Sequence, residues 1–208
     1  IRFEKKYGEK TIVLMEVGSF FELYGVSNDK EKIGDAKAVC ELLNIQLTRR
    51  NKAIIENSRK NALMAGFPSQ SMKRFLQVLV SNNYTVVLIE QTTPPPNPTR
   101  EITKIISPGT YIDEVKNNDA NYIVSVLISE GKCYKTNMTQ YSIGLSSIDL
   151  TTGKSTVYEL YSCRNDEKVM FEEVYRYIES FSPREIIVIP HNTNYLSREA
   201  ILSYINTE

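Results

Sequence analysis

The sequence has no tryptophan, a single histidine at 191 and only three cysteines, at positions 40, 133 and 163. One histidine leaves no partner for a His-dependent nucleophile or a His-rich metal site. Three widely spaced cysteines match neither a metal-ligand spacing nor an even disulfide set, so a reducing, intracellular setting is expected. No apolar run approaches membrane-spanning length, and no signal peptide precedes a small-residue cleavage site, so no membrane association is expected. The glycine-rich phosphate loop ending in Lys-Ser/Thr is missing, which excludes ATP hydrolysis by this stretch of chain. An overall charge imbalance is missing too, with 25 basic and 25 acidic residues among 208. The opening Ile1, followed by the charged run Arg2-Phe3-Glu4-Lys5-Lys6, reads as a piece excised from a longer protein.

What is present is ample apolar material: 41% of residues are hydrophobic, enough for real cores and too much for a disordered chain. The charges are unevenly placed. Residues 1–112 hold sixteen Lys and Arg against eleven Asp and Glu, and residues 113–208 hold nine against fourteen. A basic half and an acidic half suggest two units with different partners, although solvated surfaces produce swings of this size as well.

Local patterns predict sheet and helix in both halves. Thr11 to Val17 reads as a buried strand entering a turn at Gly18. Ile33, Ala36, Val39, Leu42 and Leu43 fall at helical spacing, as do Met72, Phe75, Leu76, Leu79 and Val80, where Ser69-Gln70-Ser71 offers N-caps. Tyr84 to Glu90 and Ile102 to Ile106 read as strands, separated by the exposed loop Pro94-Pro95-Pro96-Asn97-Pro98. In the second half, Tyr122 to Ile128 is a strand followed by a turn at Gly131-Lys132. Ser142 to Leu150 and Ser155 to Leu160 form a hairpin across Thr151-Thr152-Gly153-Lys154. A helix over 166–181, a buried strand over Ile186 to Ile189 bounded by Pro183 and Pro190, and a closing helix capped by Ser197 complete the chain. The expected class is mixed α/β, in two mixed sheet-and-helix domains, and the hairpin followed by helix and buried strand suggests a sheet with antiparallel and parallel parts. Composition alone would divide the chain at the proline run. The polar cluster Asp113, Glu114, Lys116, Asn117, Asn118 and Asp119 gives two better balanced units.

Gly18-Ser19-Phe20-Phe21-Glu22-Leu23-Tyr24 is the unusual segment, with three aromatics crowded beside a carboxylate straight after a buried strand. Strand alternation puts Phe20, Glu22 and Tyr24 on one face. A core strand with Phe21 and Leu23 inward explains the same residues, so the pattern permits an uncovered Phe20 without demanding it. Glu22 is open to two readings as well: a surface acid pairing with a nearby lysine, or a functional carboxylate. The basic group Arg49, Arg50, Lys52, Arg59 and Lys60 surrounds one acid, Glu56. It suits phosphate contact without sequence readout, or a solvated loop, which Asn51, Asn57, Ser58 and Asn61 fit equally. Gly66 permits close backbone approach or simply turns the chain.

Taken together, the ordered words Gly18-x-Phe20-x-Glu22-Leu23, Leu47-Thr48-Arg49-Arg50, Met64-Ala65-Gly66-x-Pro68, Glu90-Gln91, Pro108-Gly109-Thr110 and Asp149-Leu150-Thr151-Thr152-Gly153 resemble the MutS family of DNA mismatch-repair proteins. The wording Met15-Glu16-Val17-Gly18-Ser19-Phe20-Phe21-Glu22 is similar to a divergent branch from large DNA viruses and coral mitochondria. The usual bacterial pattern has Asp where Ser19 stands. The resemblance implies a mismatch-binding domain over residues 1–115 and a connector domain, RNase H-like, over 116–208. It implies that Phe20 enters the minor groove and stacks on a mispaired base, with Glu22 hydrogen-bonding that base. Arg49, Arg50, Met64, Gly66 and Pro68 join them at the DNA. It also implies a full-length protein that binds ATP and Mg through a domain beyond residue 208 and works as a homodimer on mismatched double-stranded DNA, with a repair protein as a candidate partner at the connector. This stretch itself is expected to need no cofactor and to have no catalytic residue.

Two other readings of the second half follow from its residues. A nuclease of RNase H type would gather carboxylates around metal, and Asp149 sits at a strand end, with Glu159 and Glu172 as the nearest candidate companions. An acidic protein-interaction module is the other.

Overall fold

The computed structural model describes residues 2–94, 96–112, 120–162, 167–193 and 196–205. The polar cluster at 113–119, Pro95, Cys163 and the start of the fourth helix at Asp166 lie outside the described residues. The chain divides into two compact units, Ile1–Tyr111 and Ile112–Glu208.

The first unit runs α1 (Arg2–Tyr7), β1 (Thr11–Val17), β2 (Phe20–Ser27), β3 (Lys32–Ile33), α2 (Ala36–Leu43), β4 (Thr48–Arg49), β5 (Leu63–Pro68), α3 (Met72–Ser81), β6 (Thr85–Gln91) and β7 (Arg100–Ile106). Its strands form one sheet in the order β4-β5-β2-β1-β6-β7, with β3 paired to β2. The β1 strand lies centrally, antiparallel to β2 and parallel to β6. That position suits its nearly unbroken apolar run. Register decides what each face carries. Phe21 pairs with Phe67, Leu23 with Ala65, and Leu14 with Leu88. These residues and Ile12 and Val86 join Ala36, Val39 and Leu43 of α2 and Leu76, Leu79 and Val80 of α3 in one core. The opposite face carries Met15, Phe20, Glu22, Tyr24, Met64, Gly66 and Pro68.

The second unit runs β8 (Tyr122–Lys132), β9 (Thr139–Asp149), β10 (Ser155–Tyr161), α4 (Glu167–Phe181), β11 (Glu185–His191) and α5 (Arg198–Ile205), with sheet order β10-β9-β8-β11. The first three strands form an antiparallel meander and β11 adds in parallel. Val124, Val126, Ile128, Ile143 and Leu145 pack against Phe171, Val174 and Ile178 of α4 and Ile201 and Ile205 of α5. Both units are therefore mixed α/β, as the patterns indicate.

Four local expectations change. Ile33 belongs to β3, so the helix begins at Ala36. Ser71 occupies the N-cap of α3 without making a side-chain cap bond, because Ser69–Ser71 already form a 3-10 turn that leads into the helix. Gly131 and Lys132 pair with Gln140 and Thr139, so β8 runs past the expected turn. The strand around Ile186 to Ile189 is an edge strand, not a buried one: Ile187 and Ile189 are exposed, and Pro190 sits inside it. An edge tolerates proline because one side of the strand has no ladder to complete.

Candidate functional site

Val17 pairs with Phe20 across Gly18-Ser19, so β1 and β2 are joined by a two-residue hairpin. Such a loop needs a positive φ, which glycine adopts without a Cβ penalty, and Gly18 has φ +61°. Both carbonyls of the loop are held. Gln91 Nε2 donates to Gly18 O at 3.3 Å and Ser69 N donates to Ser19 O at 2.9 Å. The Gln91 backbone N–H donates to Glu16 Oε2 at 2.8 Å, and Arg100 Nε donates to Glu16 O at 2.8 Å. A turn braced from two neighbouring strands presents its first strand residue rigidly, and that residue is Phe20.

Phe20 is 46% exposed, whereas its neighbour Phe21 is 5% exposed and Leu23 is fully buried. The ring stands between Val17 on β1 and Pro68 on β5. One strand thus answers both sequence readings: Phe21 and Leu23 serve the core, and Phe20 faces outward.

Glu22 lies in the next row of the same face, between Met15 and Gly66. A Cβ at Gly66 would stand 3.2 Å from Glu22 Cγ and 3.1 Å from the Phe21 carbonyl oxygen. The glycine is therefore favoured by close approach and not by a turn, since β5 passes straight through it. Tyr24, two residues along, donates its phenolic hydrogen to Glu22 Oε2. Burial first, then the hydrogen bond and charge of Glu22, push the Tyr24 phenol up to about 12, against the opposing pull of Arg50 and Arg100. The phenol is thus a proton donor throughout the neutral range.

Of the residues singled out in the sequence, Phe20, Glu22, Met64, Gly66 and Pro68 share this face. Arg50 follows β4 and is exposed, close enough for its charge to be felt at Tyr24. Arg49 is not with them. It pairs with Leu63, on the side of the sheet that holds the core, and lines a cleft with Gly25, Ala36 and Lys37. Arg59 is committed elsewhere as well, in a two-pronged ion pair with Glu31 at 2.7–3.1 Å that also holds the Glu31 carboxyl below its usual range. The loop carrying Lys52 and Glu56 is organised by buried Asn61. Its amide donates to the carbonyls of Ile54 and Glu56, and its oxygen accepts from Asn51 N. Sequence reasoning placed Tyr24 on this face without a role and missed the bracing by Gln91 and Arg100. Tyr24 was legible by alternation, but the reach of Gln91 and Arg100 to the hairpin depends on β6 and β7 lying beside it.

Residues 3–115 match the family description MutS domain I. A DNA mismatch repair mutS homologue of Acanthamoeba polyphaga mimivirus is 33% identical over 194 residues, covering 93% of this chain and 17% of the relative. DNA mismatch repair protein MutS of Thermodesulfovibrio yellowstonii is 31% identical, over 90% of this chain and 18% of its own length. That of Fusobacterium nucleatum is 29% identical, over 81% and 17%. The chain belongs to the MutS family. It spans under a fifth of the length of these MutS relatives.

Within this MutS chain, Asp149 of the second unit is tied into the fold. Asp149 is buried, and its oxygens are already engaged: Oδ1 accepts from Asn121 N and Thr151 N, both at 3.0 Å, and Oδ2 accepts from Thr152 Oγ1 at 2.6 Å. The carboxylate ties the end of β9 to its own turn. Among the described residues no group of three or more His, Cys, Asp or Glu is placed to hold a metal ion. No helix among them is long and apolar enough to cross a membrane.

Proposed function

We propose that the first unit recognises mispaired bases in double-stranded DNA, with Phe20 as a wedge that enters the minor groove and stacks on the mispaired base, and Glu22 as the group that hydrogen-bonds it. The observation that carries this reading is the outward Phe20 ring on a braced hairpin, one strand row from a carboxylate. Unstacking a base step costs a few kcal/mol and kinks the duplex. A mismatch has already lost part of its pairing, so the wedge enters there at lower cost. Stacking on an aromatic ring returns about 1–3 kcal/mol per base. Discrimination then follows from how easily each duplex deforms.

A carboxylate on a surface that meets phosphates is repelled unless it finds a donor. The N–H groups of a displaced base supply one, and an intact duplex does not, so Glu22 weakens binding to correct DNA more than to mismatched DNA. Arg50 supports the reading as a phosphate contact, and exposed Arg100 adds a second cation beside the hairpin. In the full-length protein, ATP and Mg bound outside these residues, homodimerisation, and a repair-protein contact on the second unit belong to the same proposal. The apolar side chains that the second sheet leaves exposed, Leu127, Ile187 and Ile189, support the contact on the second unit.

The test uses the full-length protein and duplexes that differ in one base pair. Phe20→Ala is expected to abolish mismatch preference, a loss of about 10- to 100-fold, while leaving weak, salt-dependent duplex binding. Glu22→Ala is expected to strengthen binding to perfect duplex. Equal preference in Phe20→Ala and the parent would reject the wedge.

A further inference from the structure

We propose that Tyr24 is the positioning residue for Glu22: its phenol holds one oxygen of a carboxylate whose stem lies against Gly66, so that the other oxygen alone is presented to a base and the charge cannot retreat from the phosphates of an intact duplex. The inference deepens the proposed reading of Glu22 and rests on it.

Three observations converge. Alternation places residues 22 and 24 on the same face, and the phenol donates to Oε2. Opposite Glu22 the sheet has a glycine, and the Glu22 stem lies 3.2 Å from where a Cβ would be, so a side chain there would crowd the Glu22 stem. Among the described residues no partner is placed on Oε1, which leaves it as the free acceptor.

A glutamate side chain has three rotatable bonds and loses much freedom when fixed. A carboxylate that is already fixed does not incur that loss when it meets a base, so preorganisation favours the mismatched complex. The same tether acts in the opposite sense on correct DNA. An untethered Glu22 can swing toward water and relieve its repulsion from the phosphates, whereas the tethered one stays and keeps the penalty. Because the phenol retains its proton across the neutral range, the tether does not depend on pH there.

The experiment is a double-mutant cycle in the full-length protein: parent, Tyr24→Phe, Glu22→Ala and the double variant, each titrated with perfect and singly mismatched duplexes at fixed salt. Tyr24→Phe removes one hydroxyl and keeps the ring. It is expected to lower the mismatch-to-match affinity ratio by about tenfold, the size of one hydrogen bond to a charged group, with tighter perfect-duplex binding as part of the change. Its melting temperature is expected to match the parent's, which a merely structural role would not allow alongside the lost ratio. In the Glu22→Ala background the Tyr24 change is expected to add nothing. If Glu22→Ala narrows the ratio and Tyr24→Phe keeps the parent's, the positioning role is overturned and the reading of Glu22 stands. If Glu22→Ala itself leaves the ratio unchanged, both fall. If the two losses simply add, Tyr24 acts on DNA or on the fold by itself, which also overturns the proposal.

Discussion

Gly66 and Glu22 oppose each other across β5 and β2, and a Cβ at position 66 would sit tightly, 3.1–3.2 Å from the Phe21 carbonyl oxygen and Glu22 Cγ. The Phe21 carbonyl belongs to a paired strand and cannot shift far, so a methyl group at position 66 would press on the Glu22 stem instead. Gly66→Ala is therefore expected to cost about 1 kcal/mol of stability through overpacking. It is also expected to narrow mismatch preference toward that of Glu22→Ala. Denaturation and duplex titration of the same variant measure the two effects separately. An unchanged preference would show that Glu22 is placed without help from the glycine. At this scale much was legible in advance, because period-two alternation already grouped Phe20, Glu22 and Tyr24. Whether Phe20 or Phe21 pointed into the core was not, since a strand with aromatics on both faces reads the same either way up.

Hairpins are the elements on which both units depend, and each is secured by a different device. The β1–β2 turn uses a glycine with positive φ and borrowed hydrogen bonds from Gln91 and Ser69. The β9–β10 turn uses Asp149. There the Thr152 hydroxyl first, then the Asn121 and Thr151 N–H groups, hold the carboxyl below the usual aspartate value of 3.8, against the opposing effect of burial. A group whose folded value lies below its unfolded one stabilises the fold above the unfolded value, and that contribution is lost as pH falls through the folded value. Stability of the second unit is thus expected to decline as pH falls through and below the usual aspartate value of 3.8. Asp149→Asn should flatten that limb and lower stability at neutral pH. Denaturation midpoints across the range check it, and an acid limb unchanged by the substitution would remove Asp149 from this role. The hairpin over 151–154 was readable from its residue types. The reach of Asp149 to Asn121 was not, because it joins positions 28 apart in sequence.

Across the whole chain, the basic excess of the first half falls on the unit with the Phe20 face, and the acidic excess on the other. The two core clusters draw on separate residues, Leu14, Leu23 and Leu79 among one set and Ile128, Ile143 and Ile201 among the other. Emptying a buried leucine or isoleucine site costs about 2–5 kcal/mol. Leu23→Ala is expected to lower amide-exchange protection within Ile1–Tyr111, and Ile143→Ala within Ile112–Glu208, each leaving the other unit as it was. Loss of protection in both units from either change would show one cooperative body. From its residues alone the chain determined its mixed α/β class, the approximate span of most strands and helices, its family and the faces on which side chains alternate, because these follow from local period and from an ordered set of short words. Only the tertiary structure decided which face α2 and α3 would cover, and hence that Phe20 stays outside, that Arg49 is turned away from it, and that Glu22 rests on Gly66 under the hydroxyl of Tyr24. Alternation states which residues share a face; the helices that close the core decide which face stays open to solvent.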